Sequence, residues 1–168
     1  MSCGMRADGI RDADDSFPVG FKFYPTEDEL LVHYLAKKTS NLPLPMNIIK
    51  EVNLYDYNPE ELIEMYKANE EEKGWYFFTP RAHKYPNGSR PSRAASHDYW
   101  KATGVDKKIR KNDKILGYMK TLAYHQGKAP KGIKTNFIMH EFVLPDSESV
   151  SKKIIRKISL RPTTTTKT

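Results

Sequence analysis

The sequence predicts an α+β fold with helices first and a mostly antiparallel β-sheet after them. Three observations carry this. Two capped amphipathic stretches lie between residues 26 and 66, the pattern changes after residue 74 to short aromatic and β-branched runs, and turn chemistry separates those runs. Residues 1–16 lack periodicity and read as a flexible leader, with folding expected to start near Phe17, Pro18 and Gly20. The first helix is signalled by Thr26 and Glu29, a capping box, with Glu27 and Asp28 at the positive end of the helix dipole. Leu30, Leu31, Tyr34 and Leu35 form its apolar stripe, and Lys37 and Lys38 suit its other end. A second helix is marked by Asn58 as cap, Pro59 at the first position and Glu61 at the third, with Leu62, Met65 and Tyr66 apolar. Glu70 to Glu72 then reads as solvated surface. Strands are predicted at Trp75 to Phe78, Tyr99 to Gly104, Ile115 to Tyr124 and Phe137 to Leu144. Asn87-Gly88 is a hairpin-type signal, and Gly127, Pro130 and Gly132 break the chain between the last two strands. Residues 17–145 form the expected folded unit, and 146–168 read as a basic, disordered tail.

With 168 residues, 38% hydrophobic and 11% aromatic, the chain has enough apolar material for one real core, which argues against whole-chain disorder. A single cysteine, Cys3, excludes an internal disulfide and a cysteine-rich zinc site and fits a reducing compartment. No apolar run approaches the ~18 to 20 residues that cross a bilayer, and the first 17 residues do not read as a secretory signal. The formal charge is +7, but its distribution says more than its sum: residues 1–80 hold 8 basic and 15 acidic side chains, residues 81–168 hold 20 and 6. Such a dipole suggests a polyanion docked on one side. A solvated face plus a basic tail gives the same balance, and charge alone leaves the two readings level.

Enzymatic motifs fail on inspection. Gly127 to Thr135 resembles a phosphate-cradling loop, but Ile133 stands where its lysine must follow the second glycine. His33, His83, His97, His125 and His140 fall at no metal-ligand spacing, and there is no nucleophile elbow. No catalytic residue, metal, cofactor or small-molecule substrate is implied. Asn87-Gly88-Ser89 is read as a turn rather than a glycosylation site. What remains is a basic set interleaved with aromatics and turns: Lys84, Arg90 and Arg93, then Lys101, Lys107 and Lys108, then Lys128, Lys131 and Lys134. Such cations neutralise phosphates, and a strand with small residues such as Ala102, Thr103 and Gly104 fits a major groove. Trp100 is expected to be a packing anchor rather than a stacking contact.

The runs PVGFKFYPTEDELLVHYL, GWYFF, RAHKYPNGSRPSRAASHDYWKATGVDKKI and GKAPKGIKTNFIMHEFVL resemble the plant-specific NAC domain, in its usual order of blocks, over about residues 17 to 145. The resemblance implies a twisted antiparallel sheet flanked by a few helices. It also implies a homodimer, or a heterodimer with other NAC proteins, that binds duplex DNA in the nucleus to regulate transcription. The family's groove strand carries over to Lys101, Ala102, Thr103 and Gly104, and its phosphate- and base-contacting positions to Lys84, Arg90, Arg93, Lys128 and Lys131. Its dimer contacts carry over to Gly20, Phe21, Lys22 and Phe23, with Lys22 matched to an arginine that pairs with a glutamate, here Glu29. This sequence departs from the pattern in several places. Lys22 lacks the bidentate fork of arginine, Val19 replaces a common proline, and His83 replaces a basic residue. His97-Asp98 replaces a small neutral pair, placing a carboxylate beside the expected phosphate path. The basic cluster Lys152, Lys153, Arg156 and Lys157 reads as a nuclear-import signal or as extra phosphate contacts, a merely solvated tail fitting equally well. No acidic activation segment is evident, so little autonomous activation is expected. The alternatives are a dimerisation partner that itself binds DNA weakly, and an RNA-binding domain stacking bases on Tyr85, Tyr99 and Phe137.

Overall fold

A computed structural model describes residues 22–66, 74–80, 98–145 and 153–160. The expected leader, the Asn87-Gly88 turn and the acidic run Glu70 to Glu72 lie outside the described residues. The first helical segment runs through α1 (Glu27–Glu29), a π-helical stretch (Leu30–Leu35) and α2 (Ala36–Thr39). Its predicted capping box is present: the Glu29 amide donates to Thr26 Oγ1 at 3.3 Å, and the Thr26 amide donates to Glu29 Oε2 at 3.0 Å. In the middle the Ala36 amide donates to the Leu31 carbonyl, five residues back. Asn41, at φ 54°, ends the segment, and the Leu42 amide closes it on the Lys37 carbonyl at 2.8 Å. The second predicted helix is α3 (Pro59–Met65), with the Asn58–Glu61 capping box formed in both directions.

Six strands form one twisted mixed sheet among the described residues: β1 (Lys50–Glu51), β2 (Trp75–Pro80), β3 (Tyr99–Lys111), β4 (Lys114–Gln126), β5 (Ile133–Val143) and β6 (Lys153–Leu160). Their spatial order is β1-β2-β6-β5-β4-β3; only β1 with β2 is parallel. The two helical layers cover opposite faces. Phe78 and Ile155 pack with Leu30, Leu31, Tyr34 and Leu35 of the first helical segment. Phe77, one residue away on the pleat, packs with Leu54 and Leu62 on the other face. Complete burial of a leucine contributes about 1.5–3 kcal/mol, so the Leu31 and Leu35 pair holds the first layer down firmly.

Two features correct the sequence reading. β3 runs seven residues beyond Gly104 and turns tightly into β4, because Asn112 and Asp113 adopt positive φ (51° and 61°), as a two-residue primed hairpin turn requires. The expected disordered tail, 146–168, contains β6, which is inserted between β2 and β5. The physical reason is that its charges find partners far away in the sequence. Arg156 donates from Nε to Glu141 Oε1 at 2.8 Å and from its terminal nitrogen to the Thr79 hydroxyl. Lys153 pairs with Glu51 at 2.6 Å, and Lys157 sits 5.3 Å from the centroid of the Tyr76 ring. Ile154, Ile155 and Ile158 are buried among them. Arg156, at 1% exposure, is therefore no part of an accessible import or phosphate-binding cluster.

Candidate nucleic-acid interface

β3 is the edge strand at one end of the sheet order, so one side of it faces away from any paired strand described. Lys101, Ala102, Gly104, Lys107 and Lys108 are all exposed on it, and Thr103 is half-buried with its hydroxyl donating to the Thr121 carbonyl at 3.4 Å. The ladder pairs Thr103 with Thr121 and next Lys107 with Met119, so three β3 residues stand opposite one β4 residue. Gly104 adopts φ +69° in this bulge, with open space where a Cβ would be. Val105, beside it, is 96% exposed, an unusual placement for a branched apolar side chain. Sequence reasoning missed Val105, and it missed Arg110 and Lys111, exposed further along β3, because the strand was expected to end at Gly104. Trp100 packs against Tyr124 at 4.9 Å between centroids and joins the Leu62 side of the core, as expected of an anchor.

The second component is the β4–β5 loop carrying the exposed Lys128 and Lys131. Its two ends are tied to consecutive residues at the start of β3. At the entry the Gly127 amide donates to Asp98 Oδ1 at 2.8 Å, and the Tyr124 hydroxyl donates to Oδ2 at 3.2 Å. At the exit the Gly132 amide donates to the Tyr99 hydroxyl oxygen at 3.2 Å. Gly132 has to be glycine here: a Cβ would lie 2.7 Å from Tyr99 Cε1. Tyr99 itself is buried and stacked on His125 at 5.1 Å, and Phe137 packs edge-on against Tyr124. Tyr99, buried and stacked, does not present the free ring face that base stacking needs, and Tyr85, Lys84, Arg90, Arg93 and His83 lie outside the described residues.

Some of the positive charge is already engaged. Lys107 Nζ is 2.8 Å from Glu27 Oε2, and Lys111 Nζ is 3.4 Å from Asp28 Oδ2, which fastens the start of the first helical segment over β3. Asp28 is held below the usual carboxylate range, first by the Thr26 hydroxyl and less by Lys111. The acidic first half and basic second half thus meet within the chain at Glu27, Asp28 and Glu51, which takes up part of the charge dipole.

Of the expected dimer residues, Gly20 and Phe21 lie outside the described residues, and Lys22 is exposed. Phe23 is 8% exposed, set edge-on against Tyr34 and Tyr76, so its ring serves the core. Glu29 is exposed, with one carboxylate oxygen occupied by its own capping box. Among the described residues no three His, Cys, Asp or Glu side chains converge as a metal site, and no helix is long and apolar enough to cross a membrane.

The described residues thus bring together an edge strand of lysines and small residues and a tethered loop that carries two exposed lysines. The chain belongs to the family described as no apical meristem (NAM) protein, whose model matches residues 18–144. It is 50% identical over 149 residues to NAC domain-containing protein 2 of Oryza sativa subsp. japonica, covering 88% of this chain and 46% of that one. It is 52% identical over 143 residues to NAC transcription factor NAM-A1 of Triticum turgidum subsp. durum, covering 81% and 35%. Against Protein ATAF2 of Arabidopsis thaliana it is 53% identical over 141 residues, covering 82% and 49%. The chain thus spans between about a third and a half of the length of these relatives. The family is one of transcription factors and not of enzymes.

Proposed function

We propose that this chain binds duplex DNA sequence-selectively, as a homodimer or a heterodimer with other NAC proteins, and regulates transcription in the nucleus. The observation that carries the reading is the pairing of an exposed edge strand, small at Ala102 and Gly104 and cationic at Lys101 and Lys108, with the tethered Lys128 and Lys131 loop. The strand supplies groove-sized side chains and the loop supplies phosphate neutralisation. Lys84, Arg90 and Arg93 complete the surface by resemblance, and the dimer contact is assigned to Gly20, Phe21, Lys22 and the backbone at Phe23, with Lys22 facing Glu29 of the other protomer. Residues 147–168 hold six basic residues and one acidic residue, Glu148, so this segment offers no acidic activation surface. A second reading is a dimerisation partner that modulates longer relatives and binds DNA weakly; the engagement of Lys107 and Lys111 by Glu27 and Asp28 favours it. Mobility-shift selection on random duplexes, with sequencing of the bound fraction, separates the two. The first reading gives an enriched motif from this chain alone, and the second gives one only after a longer relative is added. No enrichment in either case contradicts both.

A further inference from the structure

We infer that Asp98 is a positioning residue for the DNA-binding surface, a carboxylate that sets the lysine loop against the groove strand rather than a charge that repels DNA. The inference rests on the proposed DNA-binding function and deepens it. From the sequence Asp98 looks unfavourable, a negative charge three residues before Lys101. The structure gives its two oxygens separate work: Oδ1 accepts from the Gly127 amide at 2.8 Å and Oδ2 from the Tyr124 hydroxyl at 3.2 Å. Gly127 sits at φ +105°, a conformation in which glycine loses little and other residues are strained, so the loop entry has little intrinsic rigidity of its own. The carboxylate supplies it through a charge-assisted hydrogen bond. Tyr99, next in sequence, holds the other end through the Gly132 amide. Because the two ends of the loop are fixed to Asp98, just before β3, and to Tyr99, its first residue, Lys128 and Lys131 are held close to the strand that carries Lys101. That pre-organisation lowers the ordering cost when phosphates bind. The Gly127 amide and the Tyr124 hydroxyl direct their partial positive charges at the carboxylate, which reduces its repulsion of a phosphate.

The test compares Asp98→Asn with Asp98→Ala in the full chain. Asparagine retains an acceptor for the Gly127 amide and a polar group for the Tyr124 hydroxyl while removing the charge; alanine removes both bonds. Two readouts are used: the salt dependence of binding to a duplex selected as above, and hydrogen exchange at the Gly127 and Gly132 amides. Positioning predicts that the Asn variant binds at least as tightly as the parent. The Ala variant should lose up to about two units of slope in log affinity against log salt, the share of two phosphate contacts. In a Lys128→Ala/Lys131→Ala background, Asp98→Ala should then have no further effect, and exchange at Gly127 should be slow in parent and Asn variant but fast in the Ala variant. Equal tightening by both Asp98 variants would overturn the inference, since that is the signature of simple repulsion. So would a Gly127 amide that exchanges freely in the parent. If the parent binds no duplex at any salt, the DNA reading fails and the presentation of phosphate contacts falls with it. The exchange pattern then still decides whether Asp98 clamps the loop.

Discussion

Arg156 offers the sharpest stability test, because it stands in the middle of the sheet with its partners on both neighbouring strands. In the ladder it lies opposite Phe77 of β2 and Glu141 of β5. Its guanidinium donates to Glu141, to the Thr79 hydroxyl and, at 3.4 Å, to the Pro80 carbonyl. The side chains of Arg156 and Glu141 are 2% and 14% exposed, so water cannot replace the lost partner fully. Arg156→Met keeps the aliphatic stem but strands a mostly buried carboxylate and a fully buried threonine hydroxyl. Removing one partner of a buried pair costs about 3–5 kcal/mol, a large part of a typical total stability of about 5–15 kcal/mol. Replacing both, as Arg156→Met/Glu141→Leu, should recover the part of that loss due to the stranded carboxylate, since no charge is then left unpaired, and leave about 1–3 kcal/mol for the Thr79 hydroxyl that still lacks its donor. Urea unfolding followed by circular dichroism, with unchanged m, measures both variants. A single variant that costs less than about 1 kcal/mol, or a double variant no better than the single, would refute the reasoning.

Other outcomes follow from the same geometry. Gly117→Ala should destabilise by about 1–3 kcal/mol, because its Cβ would run into the Val143 carbonyl and lie 2.9 Å from Leu31 Cδ1; a melting temperature equal to the parent's would contradict this. Glu27→Gln releases Lys107, and should raise affinity for all duplexes alike, with a slope against salt steeper by up to about one unit, while stability changes by less than about 1 kcal/mol. Glu51 is held below its ordinary 4.5, first by the hydrogen bond from Lys153 and further by Lys38, against a smaller opposing effect of burial. Its folded value being depressed, the clamp stabilises above the unfolded value and is lost as pH falls through the folded one. The small stability difference between parent and Glu51→Gln at pH 7 should therefore shrink as pH falls below the ordinary 4.5, and a difference that does not shrink with acid would assign it to packing.

The parts of the fold that were legible in the sequence are those whose signals are local. Thr26 with Glu29 and Asn58 with Glu61 form both capping boxes, and the Leu30, Leu31, Tyr34, Leu35 stripe is buried as its spacing implies. The long reach of β3 was hidden because Lys107 to Lys111 carries little apolar alternation; only Ile109 is buried, and the rest of that stretch is an exposed edge. Asn112-Asp113 is a turn signal of the local kind, since both residue types tolerate the positive φ they adopt. β6 was illegible for a different reason. A window of Lys, Arg and Ile becomes a central strand only when Glu51, Glu141, Thr79 and Tyr76 stand beside it, and those are brought by strands 15 to more than 100 residues away. In the candidate interface Lys101, Ala102, Gly104, Lys128 and Lys131, named from charge, small size and resemblance, are exposed. The part proposed for Asp98 was not legible, since a carboxylate among lysines reveals its use only through the amide and the hydroxyl that donate to it.

In the proposed mode of binding, β3 and the tethered loop together contact duplex DNA. Titrating a selected duplex and a scrambled one across a range of salt, with the parent, Lys101→Ala and Lys128→Ala/Lys131→Ala, tests it most directly. Binding through both elements predicts that the loop variant weakens both duplexes alike and lowers the slope by about two units, one for each phosphate contact. It predicts that Lys101→Ala falls mainly on the selected duplex, narrowing the gap between the two. Parent-like affinity and slope in both variants would contradict the account.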